Sequence, residues 1–72
     1  MGQVKPKYYV GDTFKVIDKY SSCFGLTCVI TSVEDDTLWG NWSDDGLISS
    51  HFIDGDEWKR IKIIARANKE WD

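Results

Sequence analysis

Hydrophobic and polar residues alternate along most of this chain, and a period of two residues is typical of half-buried β-strands. In the most regular segment, Leu26, Cys28 and Ile30 are predicted to cover one face of a strand. Val29 and Val33 are predicted to cover the other face. Segments of this kind are predicted to be strands over residues 8–17, 26–33, 38–42, 47–53 and 61–64. The pattern therefore predicts an all-β fold.

The segments between the predicted strands have the composition of loops and turns. They comprise a long polar loop at 18–25, a tight turn at 34–37, a hairpin turn at 43–46, and a turn or single 3₁₀ turn at 54–58. This order of short strands and connections predicts a small, partly open five-stranded β-barrel. Residues 1–7 are interpreted as a flexible arm and residues 65–72 as a tail with weak helical character.

The four Trp, three Tyr and three Phe residues are more than a small core hides easily. Phe14 and Phe52 share the parity of core positions and are predicted to be buried, and Trp58 is predicted to plug the barrel. Trp39 and Trp42 lie on opposite parities of one predicted strand. One of these two indoles is therefore expected to be exposed, and an exposed Trp is often a contact anchor.

The length of the chain limits the classes of function that we expect for it. A chain of 72 residues is expected to form a single domain, residues 1–72. Such a domain buries about 60% of the surface of its unfolded form, which leaves little room for a catalytic cavity. We therefore expect a protein that is not an enzyme and needs no cofactor. Because the sequence shows no signal peptide and no long apolar run, we expect a cytoplasmic location with reduced cysteines.

Charge is distributed unevenly. Residues 1–33 have a balance of +2, residues 34–57 of −8 with no Lys or Arg, and residues 58–72 of +3, which gives the net charge of −3. The acidic middle third, which basic segments flank, disfavours a nucleic-acid backbone as the main partner.

Four segments carry a family resemblance: residues 10–16 (VGDTFKV), 24–30 (FGLTCVI), 42–46 (WSDDG) and 58–61 (WKRI). In their order they resemble the small bacteriophage and bacterial SH3-like barrel proteins and the related Mind bomb/Herc2-type repeat, over residues 8–64. The resemblance implies a five-stranded SH3-like barrel. It also implies a binding role, as a phage accessory or anti-defence protein that engages a host protein in the host cytoplasm.

The resemblance further implies a groove between the first loop and the second hairpin, lined by aromatic rings. The predicted partner-binding residues are Tyr9, Tyr20, Phe24, Trp39 and Trp42, with Asp35, Asp36, Asp44 and Asp45 as an acidic rim. Carboxylates beside an exposed indole attract Lys, Arg or another cation. The other role open to these carboxylates is to accept hydrogen bonds from turn backbone. The expected partner is a host or phage protein with a basic or mixed surface, and a homodimer is also compatible with the spare aromatics.

Two other functions remain open at this point. In the first, the protein sequesters a small molecule such as a nucleotide signal, with aromatic rings stacking a base and Lys59, Arg60 and Lys62 holding phosphate. In the second, the acidic middle third mimics nucleic acid. Direct binding of nucleic acid by the basic segments is a weaker alternative.

The cysteines and the histidine do not predict a metal site. Cys23, Cys28 and His51 supply three ligands, whereas a structural zinc site needs four. A buried thiol is predicted at Cys28, and a disulfide between the two cysteines is the alternative. His51 is interpreted as a polar strand residue.

Overall fold

The computed structural model describes residues 4–68. The elements in these residues are β1 (Thr13–Val16), β2 (Thr27–Val33), β3 (Thr37–Trp42), β4 (Ile48–Phe52), a 3₁₀ helix (Glu57–Arg60) and β5 (Ile61–Ala65). The prediction of an all-β fold is confirmed. The bounds of β2, β3 and β4 each lie within one residue of the predicted ones, and the 3₁₀ helix lies in and just after the predicted turn.

The five strands form one antiparallel sheet in the order β4-β3-β2-β1-β5. Strands that follow one another from β1 to β4 are neighbours, and β5 returns to pair with β1. Within residues 4–68, no ladder joins β4 to β5, so these two strands are the edges of an open sheet.

β1 is much shorter than predicted because a turn precedes it. Gly11 has a φ of 95°, and the backbone N–H of Asp12 donates to the carbonyl of Tyr9 at 3.1 Å. Val10 lies on this turn and is exposed, although its parity matches that of the core positions in β1. Tyr8, which precedes the turn, is buried in the core. The alternation of apolar residues predicts one strand through this segment, but the turn with positive φ at Gly11 interrupts it.

The core lies on the inner face of the sheet and consists of Tyr8, Phe14, Val16, Cys28, Ile30, Leu38, Trp42, Ile53 and Ile61. Trp58 is partly buried and packs against this core. The predicted division of the two indoles is confirmed, because Trp42 is 8% exposed and Trp39 is 37% exposed. Val29 and Val33 are exposed and cover no second sheet half, which corrects the prediction for these residues.

Gly40 lets β2 and β3 approach closely on the inner face. A Cβ at this position would contact the carbonyl oxygen of Val29 and would lie 2.5 Å from the Cys28 Sγ. Real Cβ atoms do not approach neighbours so closely. The absence of a side chain at Gly40 therefore makes room for the buried Cys28 thiol.

The inner face of β4 is polar. Leu38 of β3 pairs with His51, and Gly40 pairs with Ser49, so Ser49 and His51 share the inner face. Phe52 lies on the outer face and is 59% exposed. The predicted burial of Phe52 is therefore wrong.

The predicted ends of the chain are described in part. Ala65 belongs to β5, and residues 66–68 are not helical, so the predicted helical character is absent there. Residues 1–3 of the predicted arm and residues 69–72 of the predicted tail lie outside the described residues. No helix between residues 4 and 68 has the length and apolar character that a membrane crossing requires.

Candidate functional site

A cleft of about 210 Å³ lies between the loop at residues 18–25 and the β3–β4 hairpin. It is lined by Val16, Ser21, Cys23, Leu26, Trp42, Asp44, Asp45, Ser49, Ser50 and His51. Polar side chains from the loop, the hairpin turn and β4 thus surround an apolar part made by Val16, Leu26 and Trp42. We call this site the hairpin cleft.

Trp42 is held in place by the aromatic side chains around it. Its ring meets that of Phe14 edge-on, with a centroid distance of 5.5 Å and an interplanar angle of 85°. The His51 ring lies 6.4 Å from Trp42 and 5.9 Å from Phe14. Edge-to-face contacts of this kind add about 0.5–1.5 kcal/mol to the burial of the rings. The position of the indole in the cleft is therefore fixed by core packing.

The Trp42 Nε1 is buried and has no hydrogen-bond partner among the described residues. A buried donor without an acceptor costs about 1–3 kcal/mol, so most such groups in folded proteins are paired. Trp42, which lines the hairpin cleft, therefore has one buried donor that is unpaired within residues 4–68.

Asp44 and Asp45 form the acidic rim of the cleft and also build the hairpin turn. The Asp44 Oδ1 accepts from the backbone N–H of Asp45, and the Asp45 Oδ1 accepts from that of Leu47, both at 2.9 Å. Gly46, with a φ of 72°, completes the turn by donating to the carbonyl of Trp42. The turn role considered for these carboxylates is confirmed. The Oδ2 atom of each makes no hydrogen bond or ion pair within residues 4–68.

His51 contributes a neutral ring to the cleft. Its Nε2 lies 3.5 Å from the carbonyl oxygen of Glu57. Burial lowers the pKa of His51, and the carbonyl and carboxylate of Glu57 oppose this in part. The lowered pKa favours the neutral ring at neutral pH, and no Lys or Arg of the described residues lines the cleft.

Both cysteines are free thiols, so the disulfide considered as an alternative is not formed. Cys28 is buried as predicted, and burial raises the pKa of its thiol to about 11. Cys23 is partly buried and lines the hairpin cleft. The described part of the chain holds no group of three or more His, Cys, Asp or Glu that could bind a metal ion.

The structure brings part of the predicted groove together. Trp42, Asp44 and Asp45 line the same cleft. Tyr20 is 98% exposed and Phe24 is also exposed, and both belong to the loop that forms one wall of the cleft. These five predicted residues thus lie at or beside the hairpin cleft.

The other predicted groove residues lie elsewhere. Trp39 is on the outer face of the sheet, where its Nε1 donates to the Glu34 Oε1 at 2.9 Å. Asp35 and Asp36 are at the β2–β3 turn, at the opposite end of β3 from Asp44 and Asp45. Tyr9 lies beside the Arg66 guanidinium, 5.9 Å from the ring centroid. The prediction of one continuous groove is corrected: Tyr9, Trp39, Asp35 and Asp36 are not part of the cleft.

The basic residues predicted to hold phosphate are largely engaged by acids. The Lys59 Nζ lies 3.2 Å from an Asp56 carboxylate oxygen. Arg60 lies 3.4 Å from Glu57 and 3.6 Å from Asp18. Lys62 is exposed on β5.

Several polar residues line the cleft although the sequence pattern did not predict them, among them Ser21, Cys23, Ser49 and His51. Ser49 and His51 had a detectable signal, because the hairpin register pairs them with the inner face of β3. Ser21 and Cys23 had none, since their approach to β4 depends on how the loop folds over the sheet.

Comparison with known proteins adds no further constraint: no family model, no curated protein and no solved structure matches this chain. The function is therefore inferred from the geometry of the cleft and of the sheet.

Proposed function

We propose that this protein is a non-enzymatic binding module with an SH3-like barrel architecture, and that its hairpin cleft binds a Lys or Arg side chain of a protein partner. One observation carries the proposal. The rim of the cleft holds two exposed carboxylates, those of Asp44 and Asp45, and each has an oxygen free of hydrogen bonds and ion pairs within residues 4–68.

The apolar part of the cleft suits the stem of a long basic side chain. Lys and Arg bury their methylene groups along apolar surface and keep the charged head near water or a counter-ion. Val16, Leu26 and Trp42 offer such a surface beside the acidic rim. Because no basic residue among residues 4–68 lines the cleft, the negative charge of the rim remains available to attract a basic group of the partner.

The size of the cleft favours a single side chain over a whole nucleotide. Pockets for drug-sized ligands measure about 300–1,000 Å³, whereas the hairpin cleft measures about 210 Å³. In addition, Lys59 and Arg60 already form ion pairs with carboxylates of this chain. The hairpin cleft is therefore small for a nucleotide, and the ion pairs of Lys59 and Arg60 leave less positive charge free to hold phosphate.

The chemistry of the cleft supports a non-enzymatic role. The single histidine is packed against Phe14 and Trp42 and placed with its Nε2 toward a backbone carbonyl. Outside the lining of the cleft, the buried Cys28 thiol, whose pKa is raised to about 11, stays protonated at neutral pH and is a poor nucleophile. The strand order β4-β3-β2-β1-β5, with a 3₁₀ helix between β4 and β5, supports the barrel architecture.

The test measures binding of a Gly-Gly-Lys-Gly-Gly peptide and its Arg counterpart by amide and indole chemical shifts in NMR. Both peptides are expected to shift the Trp42 indole N–H and the amides of residues 44–50. The double variant Asp44→Asn/Asp45→Asn keeps both Oδ1 acceptors of the turn but removes the charge. Exposed ion pairs contribute about 0.2–1 kcal/mol each, so affinity is expected to fall about two- to thirtyfold.

The matched control is Asp35→Asn/Asp36→Asn, which removes the same charge from the opposite end of β3. Its affinity for the peptides is expected to stay within about twofold of the unchanged protein. Equal losses in the two double variants would show that only net charge matters and would refute a specific site at the cleft.

A further inference from the structure

β4 is an edge strand, and its outer backbone groups are unpaired within residues 4–68. The Trp42 N–H donates to the Leu47 carbonyl, and the Ile53 N–H donates to the Asp36 carbonyl. These bonds lie at the two ends of the β3–β4 ladder, and hydrogen-bonded pairs alternate along an antiparallel ladder. Ser49 and His51 therefore bond to β3.

The same alternation turns the N–H and C=O groups of Ile48, Ser50 and Phe52 away from β3. Within residues 4–68, none of these groups makes a hydrogen bond outside the ladder. Ile48 and Phe52 are 61% and 59% exposed on the outer face. Three features that block pairing of edge strands are absent, since residues 47–53 contain no Lys and no Pro and the β3–β4 ladder has no bulge.

Acidic side chains flank both ends of this edge. Asp44 and Asp45 precede β4 at the hairpin cleft, and Asp54 follows it beside Asp36 and Phe52 in a second depression. None of these four aspartates forms an ion pair with a Lys or Arg of the described chain. An occupant of the edge therefore meets negative charge at each end.

We infer that β4 accepts an extended segment of a partner protein as an added antiparallel strand, in which basic and apolar residues alternate. This inference rests on the proposed function, whose cleft opens beside Ser49 and Ser50 of the same strand. Side chains of alternate residues of an added strand point to opposite faces. Apolar residues of the segment pack beside Ile48 and Phe52 on the outer face, and basic residues on the inner face reach the cleft.

Charge favours such a segment over a second copy of this chain. Two β4 strands paired about Ser50 would place Ile48 opposite Phe52, which suits the side chains. However, the same register brings Asp44 and Asp45 of each copy toward Asp54 of the other, and none of these three aspartates forms an ion pair within residues 4–68. Like charges in this arrangement oppose pairing, whereas a basic segment is attracted.

The test measures amide hydrogen exchange of the whole chain with and without an acetylated, amidated octapeptide of alternating Lys and Val. An octapeptide of alternating Glu and Val is the control. In the free protein, the amides of Ile48, Ser50 and Phe52 are expected to exchange faster than those of Ser49 and His51. Saturation with the Lys-Val peptide is expected to slow the three outer amides by at least about tenfold. Binding that leaves them unchanged would overturn the inference, as would slow, concentration-dependent exchange without peptide, which would place a second copy on the edge.

A pair of variants tests the same edge independently. Ser50→Pro removes one outward N–H and leaves the hydrogen bonds to β3 in place, a substitution that edge strands tolerate. Ser50→Ala removes the hydroxyl but keeps the N–H. The affinity for the Lys-Val peptide is expected to fall at least about fivefold more in Ser50→Pro than in Ser50→Ala. Equal affinities of these two folded variants would refute strand addition.

The charge variants separate this inference from the proposed function. If Asp44→Asn/Asp45→Asn weakens binding but the peptide leaves the outer amides of β4 unprotected, the cleft proposal stands and strand addition fails. If the outer amides are protected equally in the double variant and in the unchanged protein, strand addition stands and the cleft proposal fails.

Discussion

At the scale of single residues, His51 has an unusual position for a polar strand residue. Its ring is packed against Phe14 and Trp42 on the core face, and burial lowers its pKa below the ordinary value of 6.5. The charged groups that act on it are Glu57, which favours the protonated ring, and Arg60, which opposes it. Protonation of His51 is therefore easier in the unfolded chain than in the folded one.

This shift predicts a loss of stability in acid. Above pH 6.5 the ring is neutral in both states, and the full stability is present. As the pH falls below 6.5, the unfolded chain takes up the proton first, so the free energy of unfolding decreases until the folded ring also titrates. Urea denaturation at about pH 7.5 and about pH 5.5 is expected to show a larger loss in the unchanged protein than in His51→Gln. Equal losses in the two proteins would contradict the prediction.

At the scale of elements, the β3–β4 hairpin turn determines which residues of β4 lie on the inner face of the sheet. The apolar residues Ile48 and Phe52 share one parity, and a sequence pattern places such residues inside. The hairpin turn built by Asp44, Asp45 and Gly46 fixes the opposite register and turns Ser49 and His51 inward. A shift of one residue exchanges the two faces of a strand, so alternation predicts that a strand exists more securely than which face is buried.

The two phenylalanines that share a predicted role provide a direct check of this register. Phe14 is fully buried, so Phe14→Ala is expected to cost about 3–5 kcal/mol through lost burial and a cavity. Phe52 is mostly exposed on the outer face, so Phe52→Ala is expected to cost less than about 1 kcal/mol. Chemical denaturation of both variants measures the difference, and similar losses would mean that β4 is paired in the other register.

The candidate site could be predicted only as far as it depends on one hairpin. The strand parity predicted that Trp39 and Trp42 lie on opposite faces of the strand. The turn composition predicted that Asp44 and Asp45 lie in the hairpin turn. The sequence did not show that Asp35 and Asp36 lie at the far end of β3 from the cleft, or that Tyr9 packs beside Arg66. These placements depend on contacts between segments distant in sequence, which local periodicity does not encode.

At the scale of the whole molecule, one buried carboxylate connects the two ends of the described chain. Asp12 is fully buried, and its Oδ2 accepts from the Arg66 Nη1 at 2.7 Å, while its Oδ1 accepts from the backbone N–H of Ala67 at 2.9 Å. The same Arg66 nitrogen donates to the carbonyl of Lys7 at 2.8 Å. The segment before β1 and the segment after β5 are thus held together by the buried Asp12 carboxylate and its partner Arg66.

Removal of that charge is expected to destabilise the whole fold rather than one end of it. Asp12→Asn keeps the size of the side chain but turns an NH₂ group toward a donor, either Arg66 or the backbone of Ala67, and leaves the guanidinium without its counter-ion. Loss of one partner of a buried pair costs about 3 kcal/mol or more, and for a domain of this size each kcal/mol lowers the Tm by about 4–8 °C. A Tm at least about 10 °C lower is therefore expected, whereas the exposed Asp35→Asn control is expected to shift it by no more than about 3 °C.

Because Asp12 also fixes the turn that begins β1, and β1 lies between β2 and β5, the unfolding transition of Asp12→Asn is expected to remain cooperative. An unchanged Tm with separate loosening of the chain ends would show that the sheet is stable without this connection.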